Sequence, residues 1–173
     1  MATVDQRMLE ALRRALKFED DGIAYYQKAM NDAASPLTVD VLTTLRDEEV
    51  KHKRRINRIY EEVSQGGRWL EQEPAEPMPS FVNIFERMGG KPTERAKGSE
   101  IEALEHALDI EANGRGMYRE LADGAPSEPE RAFYERLLHE EEDHIALIED
   151  SLSYFQDPDG WFRSREHHVL DGA

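Results

Sequence analysis

The chain contains no cysteine. Disulfides, thiolate metal sites, iron–sulfur clusters and cysteine nucleophiles are therefore excluded together. No run approaches the ~20 apolar residues of a membrane-spanning helix. The opening stretch MATVDQRMLEALRRALKFED also lacks the apolar centre of an export signal, so no membrane partner is expected and the cytoplasm is the expected compartment. Positive charge is scarce: 22 Lys and Arg stand against 37 Asp and Glu, a net charge of -15. No basic block with interleaved aromatics offsets this. Such a surface repels nucleic acid, which is excluded as a partner, while it suits cations. What is present is 173 residues, enough for one domain with a real core.

The chain resembles itself. Residues 11–56 align with 103–148 without a gap at an offset of 92. Leucines recurring at a fixed offset would be ordinary helix composition. The paired polar residues and glycines are more telling: Glu19 with Glu111, Gly22 with Gly114, Tyr26 with Tyr118, Glu48 with Glu140, Glu49 with Glu141 and His52 with His144.

Each half reads as two helices. Leu9, Leu12, Leu16, Ile23 and Met30 form one apolar stripe, and Leu42, Leu45, Ile56 and Ile59 another. Ser35-Pro36 is a helix start, with Ser as cap and Pro at the first helical position. At the equivalent point Ser127 and Glu130 have the spacing of a capping box. The pattern predicts helices near 5–32, 36–64, 93–123 and 128–155, with a short one at 80–88 inside the Pro- and Gly-rich connection. A linker this long can run the ~40 Å length of the molecule. The expected fold is therefore all-α: a four-helix bundle over 1–156, made of two helical hairpins with a long crossover between helices 2 and 3, the ferritin-like connection. Residues 157–173 are expected as a tail packed on the bundle or on a partner subunit, anchored by Trp161 and Phe162.

Glu49 and His52 are three residues apart, as are Glu141 and His144. That spacing puts a carboxylate and an imidazole side by side on one helix face. Glu19 and Glu49 each lie ~20 Å from the turn between their helices, and the offset brings Glu111, Glu141 and His144 to the matching level. Four acids buried unpaired in one layer would cost more than the net stability of a domain, so protons or cations must neutralise them. Two divalent metals balance four carboxylates, each with one terminal Glu and one His, and with two Glu bridging. Iron and manganese suit these donors, and zinc can also occupy them.

The segments LKFEDDGIAYY, LRDEEVKH, LDIEANGRGMY and LLHEEEDH resemble the rubrerythrin-like branch of the ferritin-like superfamily over roughly 5–155. The resemblance implies two iron ions held by Glu19, Glu49, His52, Glu111, Glu141 and His144. It implies reaction with H2O2 or O2 in protection against oxidative stress, with ferroxidase-like iron handling or a structural bundle with a vestigial site as alternatives. Full-length rubrerythrins carry a cysteine-ligated electron relay. Here an external donor, such as a rubredoxin-like protein, or iron itself would supply electrons, and a homodimer is the expected assembly. Many rubrerythrins also have a further glutamate three residues after the third-helix ligand. Here Gly114 stands there, mirrored by Gly22, so the repeat predicts two equivalent metal positions, as in bacterioferritin ferroxidase centres. Tyr26 and Tyr118 each follow a helix ligand by seven residues and are expected to hydrogen-bond a ligating carboxylate. His167 and His168 are candidate tail ligands, weighed against a solvated tail.

Overall fold

A computed structural model describes residues 6–66, 69, 77–89 and 97–170, without the side chains of 165–170. The helices are α1 (Gln6–Asp32), α2 (Pro36–Ser64), α3 (Phe81–Arg87), α4 (Gly98–Asp123), α5 (Glu128–Gln156) and α6 (Pro158–Leu170). The four long ones form two hairpins, α1 with α2 and α4 with α5, joined by a crossover that carries the short α3. The protein is all-α, as expected, and no described helix is long and apolar enough to cross a membrane.

Local chemistry explains most boundaries. Ser35 caps α2 by accepting from Thr38 N at 3.4 Å, and Pro36 follows at the first position. The capping box expected at the start of α5 does not form: Ser127 makes no side-chain cap bond. Its partner Glu130 turns away to accept from the Arg7 guanidinium of α1, at 3.0 and 3.1 Å. A charge-assisted bond between helices has displaced the local one. α4 begins at Gly98; the expected start at 93 lies outside the described residues. Of the segment 157–173, expected as a tail, residues 158–170 are helical. Asp157 accepts from Gly160 N at 3.0 Å and Pro158 takes the first helical position, a start signal present in the sequence as Asp-Pro.

Glu100, near the start of α4, accepts from Ser35 N at 2.8 Å and Ala34 N at 3.2 Å. α4 therefore begins beside the turn between α1 and α2, and the crossover returns along the bundle. Arg87 of α3 reaches Asp40 of α2 at 2.6 Å. Trp161 of α6 is buried against Phe81, Phe85 and Tyr154, which ties the crossover and the C-terminal helix to the end of α5.

The apolar core is in two parts. One surrounds the α1–α2 turn and includes Tyr26, Leu42, Leu45, Leu104, Ile148 and Phe155. The other lies toward the opposite end and includes Leu12, Ile56, Ile59, Tyr118, Phe133 and Leu137. Glu19, Glu49, His52, Glu111, Glu141 and His144, all at most 1 % exposed, occupy the layer between them.

Candidate metal centre

Each bundle helix contributes to this layer: α1 gives Glu19, α2 gives Glu49 and His52, α4 gives Glu111, and α5 gives Glu141 and His144. The six residues form two groups that share Glu49 and Glu141. One adds Glu19 and His52, the other Glu111 and His144. Within each group, one donor atom per residue lies within 4.8 Å of all the others. The repeat has thus produced two overlapping sets of three carboxylates and one imidazole.

Both imidazoles turn Nδ1 into the layer. His52 Nδ1 lies 3.1 Å from Glu49, 3.5 Å from Glu141 and 3.6 Å from Glu19. His144 Nδ1 lies 3.2 Å from Glu111, 3.3 Å from Glu49 and 3.7 Å from Glu141. The two rings stack at 5.2 Å with planes 10° apart.

The tyrosines reach across the bundle instead of back along their own helices. Tyr26 of α1 donates to Glu111 of α4, and Tyr118 of α4 donates to Glu19 of α1. Each hydroxyl therefore fixes the unshared glutamate of the opposite hairpin. Burial raises both phenol pKa values well above the ordinary range and keeps them as donors.

Electrostatics follow from the burial. Burial, then the Glu49 charge, push Glu19 up to about 8. Burial, then the Glu111 and Glu49 charges, raise Glu141 well above its usual range. Burial also acts upward on Glu49, but the neighbouring Glu19 carboxyl and the charge of His144 outweigh it and hold that carboxyl low. Burial opposes charge on the imidazoles, yet Glu19 beside His52 and Glu111 beside His144 raise both well above the histidine value. Without a cation the layer accommodates its acids by sharing protons.

The donors also fit a metal pair. Glu19 Oε2, both oxygens of Glu49, both of Glu141 and His52 Nδ1 are buried without a hydrogen bond among the described residues. Buried polar atoms are normally satisfied. These six unsatisfied atoms converge on one layer, and nitrogen with carboxylate oxygen is a donor set for divalent transition metals.

Three features were missed by sequence reasoning. Gly22 and Gly114, equivalent in the repeat, have opposite surroundings. A Cβ on Gly22 would meet only Glu49 Cγ, at 3.8 Å. A Cβ on Gly114 would come within 2.7 and 3.0 Å of the Phe18 ring and 3.0 Å of Glu141 Oε2. Phe18 fills the place where a seventh ligand would project, and its repeat counterpart is the smaller, unringed Ile110. Glu140 Oε2 lies 3.0 Å from His52 Nε2 and is bound by Arg55 and Arg136. The doubled Glu-Glu in each half was its only signal. The side chains of His167 and His168 lie outside the described residues. No family model, curated protein or solved structure matches the chain.

Proposed function

We propose that this chain is a carboxylate-bridged di-metal oxidoreductase of the rubrerythrin type, holding two iron ions and reacting with H2O2 or O2. The observation that carries the reading is the convergence of unsatisfied, buried carboxylate oxygens and His52 Nδ1 between two apolar plugs. Bound there, a pair of redox-active metals would supply electrons one from each ion, which matches the two-electron reduction of a peroxide bond. Manganese or zinc fits the same donors, but zinc would supply no redox step.

The chain's own residues have distinct parts. Glu49 and Glu141, shared by both groups, would bridge. Glu19 with His52 and Glu111 with His144 would each complete one position. Tyr118 and Tyr26 orient the terminal carboxylates by hydrogen bonds from the opposite hairpin. The flanking leucine- and aromatic-rich clusters exclude water from both axial directions, which strengthens every electrostatic interaction in the layer. With no cysteine for a thiolate relay, electrons would come from an external donor.

A second reading, iron oxidation with iron as substrate, draws support from Gly114. Phe18 closes the place of a seventh carboxylate, leaving a six-residue set with three equivalent residues from each half. Metal analysis of aerobically purified protein, with spectroscopy of the oxidised state and assays of peroxide turnover and Fe(II) oxidation, separates the readings. Two retained irons and peroxide turnover with an added reductant are expected. Iron passing through to a ferric product would favour the second reading. Absence of metal uptake would leave a structural bundle.

A further inference from the structure

The two halves differ most sharply one residue before each shared glutamate. Glu140 lies on α5, with its Oε2 3.0 Å from His52 Nε2. Arg55 holds it through both terminal nitrogens, one of them donating to Oε1 at 2.8 Å, and Arg136 Nε donates to the same oxygen at 3.3 Å. The repeat counterpart, Glu48 on α2, instead accepts from Lys51 Nζ of its own helix at 2.7 Å. His144 has no carboxylate on its outer nitrogen among the described residues; its ion-pair contacts all run through Nδ1. Sequence accounts for the difference. The counterparts of Arg55 and Arg136 are Leu147 and Thr44, so only one half can build the clamp.

A metal on Nδ1 would leave the proton of a neutral imidazole on Nε2, and the negative Glu140 carboxylate 3.0 Å away favours a proton there. In a neutral imidazole that leaves the other nitrogen with its lone pair free to bind a metal. Glu140 thus selects for His52 the form in which Nδ1, already facing Glu19, Glu49 and Glu141, is the donor atom. The two guanidinium groups hold Glu140 on the outer side of the ring and stop it from folding inward as a competing ligand. His144 has no such support on its outer nitrogen among the described residues.

We propose that Glu140 is a positioning residue that makes the two metal positions unequal, so that the Glu19–His52 position fills first and holds a divalent ion more tightly than the Glu111–His144 position. The inference rests on the di-metal reading and departs from the equivalence that the repeat implies. Outer partners of ligating histidines are typically worth about 10–100-fold in metal affinity, and that is the expected gap between the two binding constants.

The test is titration of the metal-free full chain with Mn(II), followed by the electron paramagnetic resonance signal of the unbound ion. The unmodified protein is expected to show two separated binding steps. Glu140→Ala should weaken the tighter step by about 10–100-fold and bring the two steps together, whereas Glu48→Ala should leave both near their original values. Glu140→Gln, which keeps an acceptor oxygen, should restore part of the gap. Arg55→Leu copies the other half without removing the carboxylate; it should narrow the gap, and circular dichroism checks that it is folded. A mere structural tie between α2 and α5 would change stability and leave the ratio of the two constants alone. Two equal steps in the unmodified chain, or equal effects of Glu140→Ala and Glu48→Ala, would overturn the inference and leave the di-metal reading standing. Failure of the unmodified chain to bind Mn(II), Co(II) or Fe(II) would overturn both.

Discussion

The two hairpins agree in their metal-facing residues and differ around them. Glu19, Glu49 and His52 have the same burial and spacing as Glu111, Glu141 and His144, and the two tyrosines exchange hydrogen bonds with each other's glutamate. Yet Ser35 caps its helix and Ser127 does not. Gly22 has room beside it and Gly114 has none. Glu140 braces a histidine while Glu48 pairs along its own helix. Paired identities in a repeat therefore report what the central layer requires of each half. They say little about the contacts between halves, because those contacts depend on residues that are not paired.

The largest effects should come from the shared glutamates. Glu49→Ala and Glu141→Ala are each expected to lower occupancy from two metals to one or none, whereas Glu19→Ala or Glu111→Ala should spare the opposite position. Metal-to-protein ratios after dialysis check this, and full occupancy in either bridging variant would sink the ligand assignment.

Next comes pH. Glu19, with its pKa raised to about 8 from an unfolded value near 4.5, binds a proton more tightly in the folded, metal-free state. Its contribution to stability is complete below about pH 4.5 and is lost as pH rises to about 8. Glu141 acts in the same direction and Glu49 opposes it. Denaturant unfolding of metal-free protein should show stability falling across this window by something on the order of a few kcal/mol, while metal affinity rises as protons are displaced. Stability that climbs from pH 4.5 to 8 would contradict the proton-sharing layer.

The paired glycines give a smaller and cleaner contrast. Gly114→Ala forces the Phe18 ring and Glu141 to shift, and overpacking of this kind costs about 1–3 kcal/mol. Gly22→Ala meets only ordinary contact and should gain up to about 1 kcal/mol in helix propensity. Thermal melts of the two variants should move in opposite directions; movement together would mean that Phe18 yields freely. The same crowding blocks a glutamate at 114, so the vacant place suggested by sequence is already filled.

The smallest contrast lies at the caps. Ser35→Ala should cost about 1 kcal/mol. Ser127→Ala should be close to neutral, since Glu130 is engaged with Arg7 and no cap bond is lost. Equal costs in chemical denaturation would show that Ser127 caps α5 after all.

The sequence carried the helices and the layer because both are written in spacing along one chain. The Glu-x-x-His pairs and the constant offset brought all six residues together, and Ser35-Pro36 marked the start of α2 to the residue. Most of the misses are contacts between helices. Tyr26 was expected to serve a ligating carboxylate, but that the carboxylate is Glu111 depends on how α1 lies against α4. Glu130 carried a capping-box signal that an arginine of another helix overrode. Arg55 meets Glu140 only through the docking of α2 on α5, whereas Arg136 is its neighbour four residues back on α5. The helix over 158–170 was a different failure, since its Asp-Pro start was present but its apolar pattern is weak.

The division of the core by an acidic layer also governs how the helices can align. Leucine stripes are tolerant of sliding, because a shift of one turn, about 5.4 Å, exchanges one leucine contact for another. Here the same shift would drive a carboxylate into Leu42 and Leu45 on one side, or into Ile56 and Ile59 on the other. Each buried carboxylate displaced from its partners costs several kcal/mol, enough to outweigh any leucine packing regained. The layer therefore acts as a register key: the four helices are locked at one mutual height by the groups least compatible with the apolar surfaces above and below them.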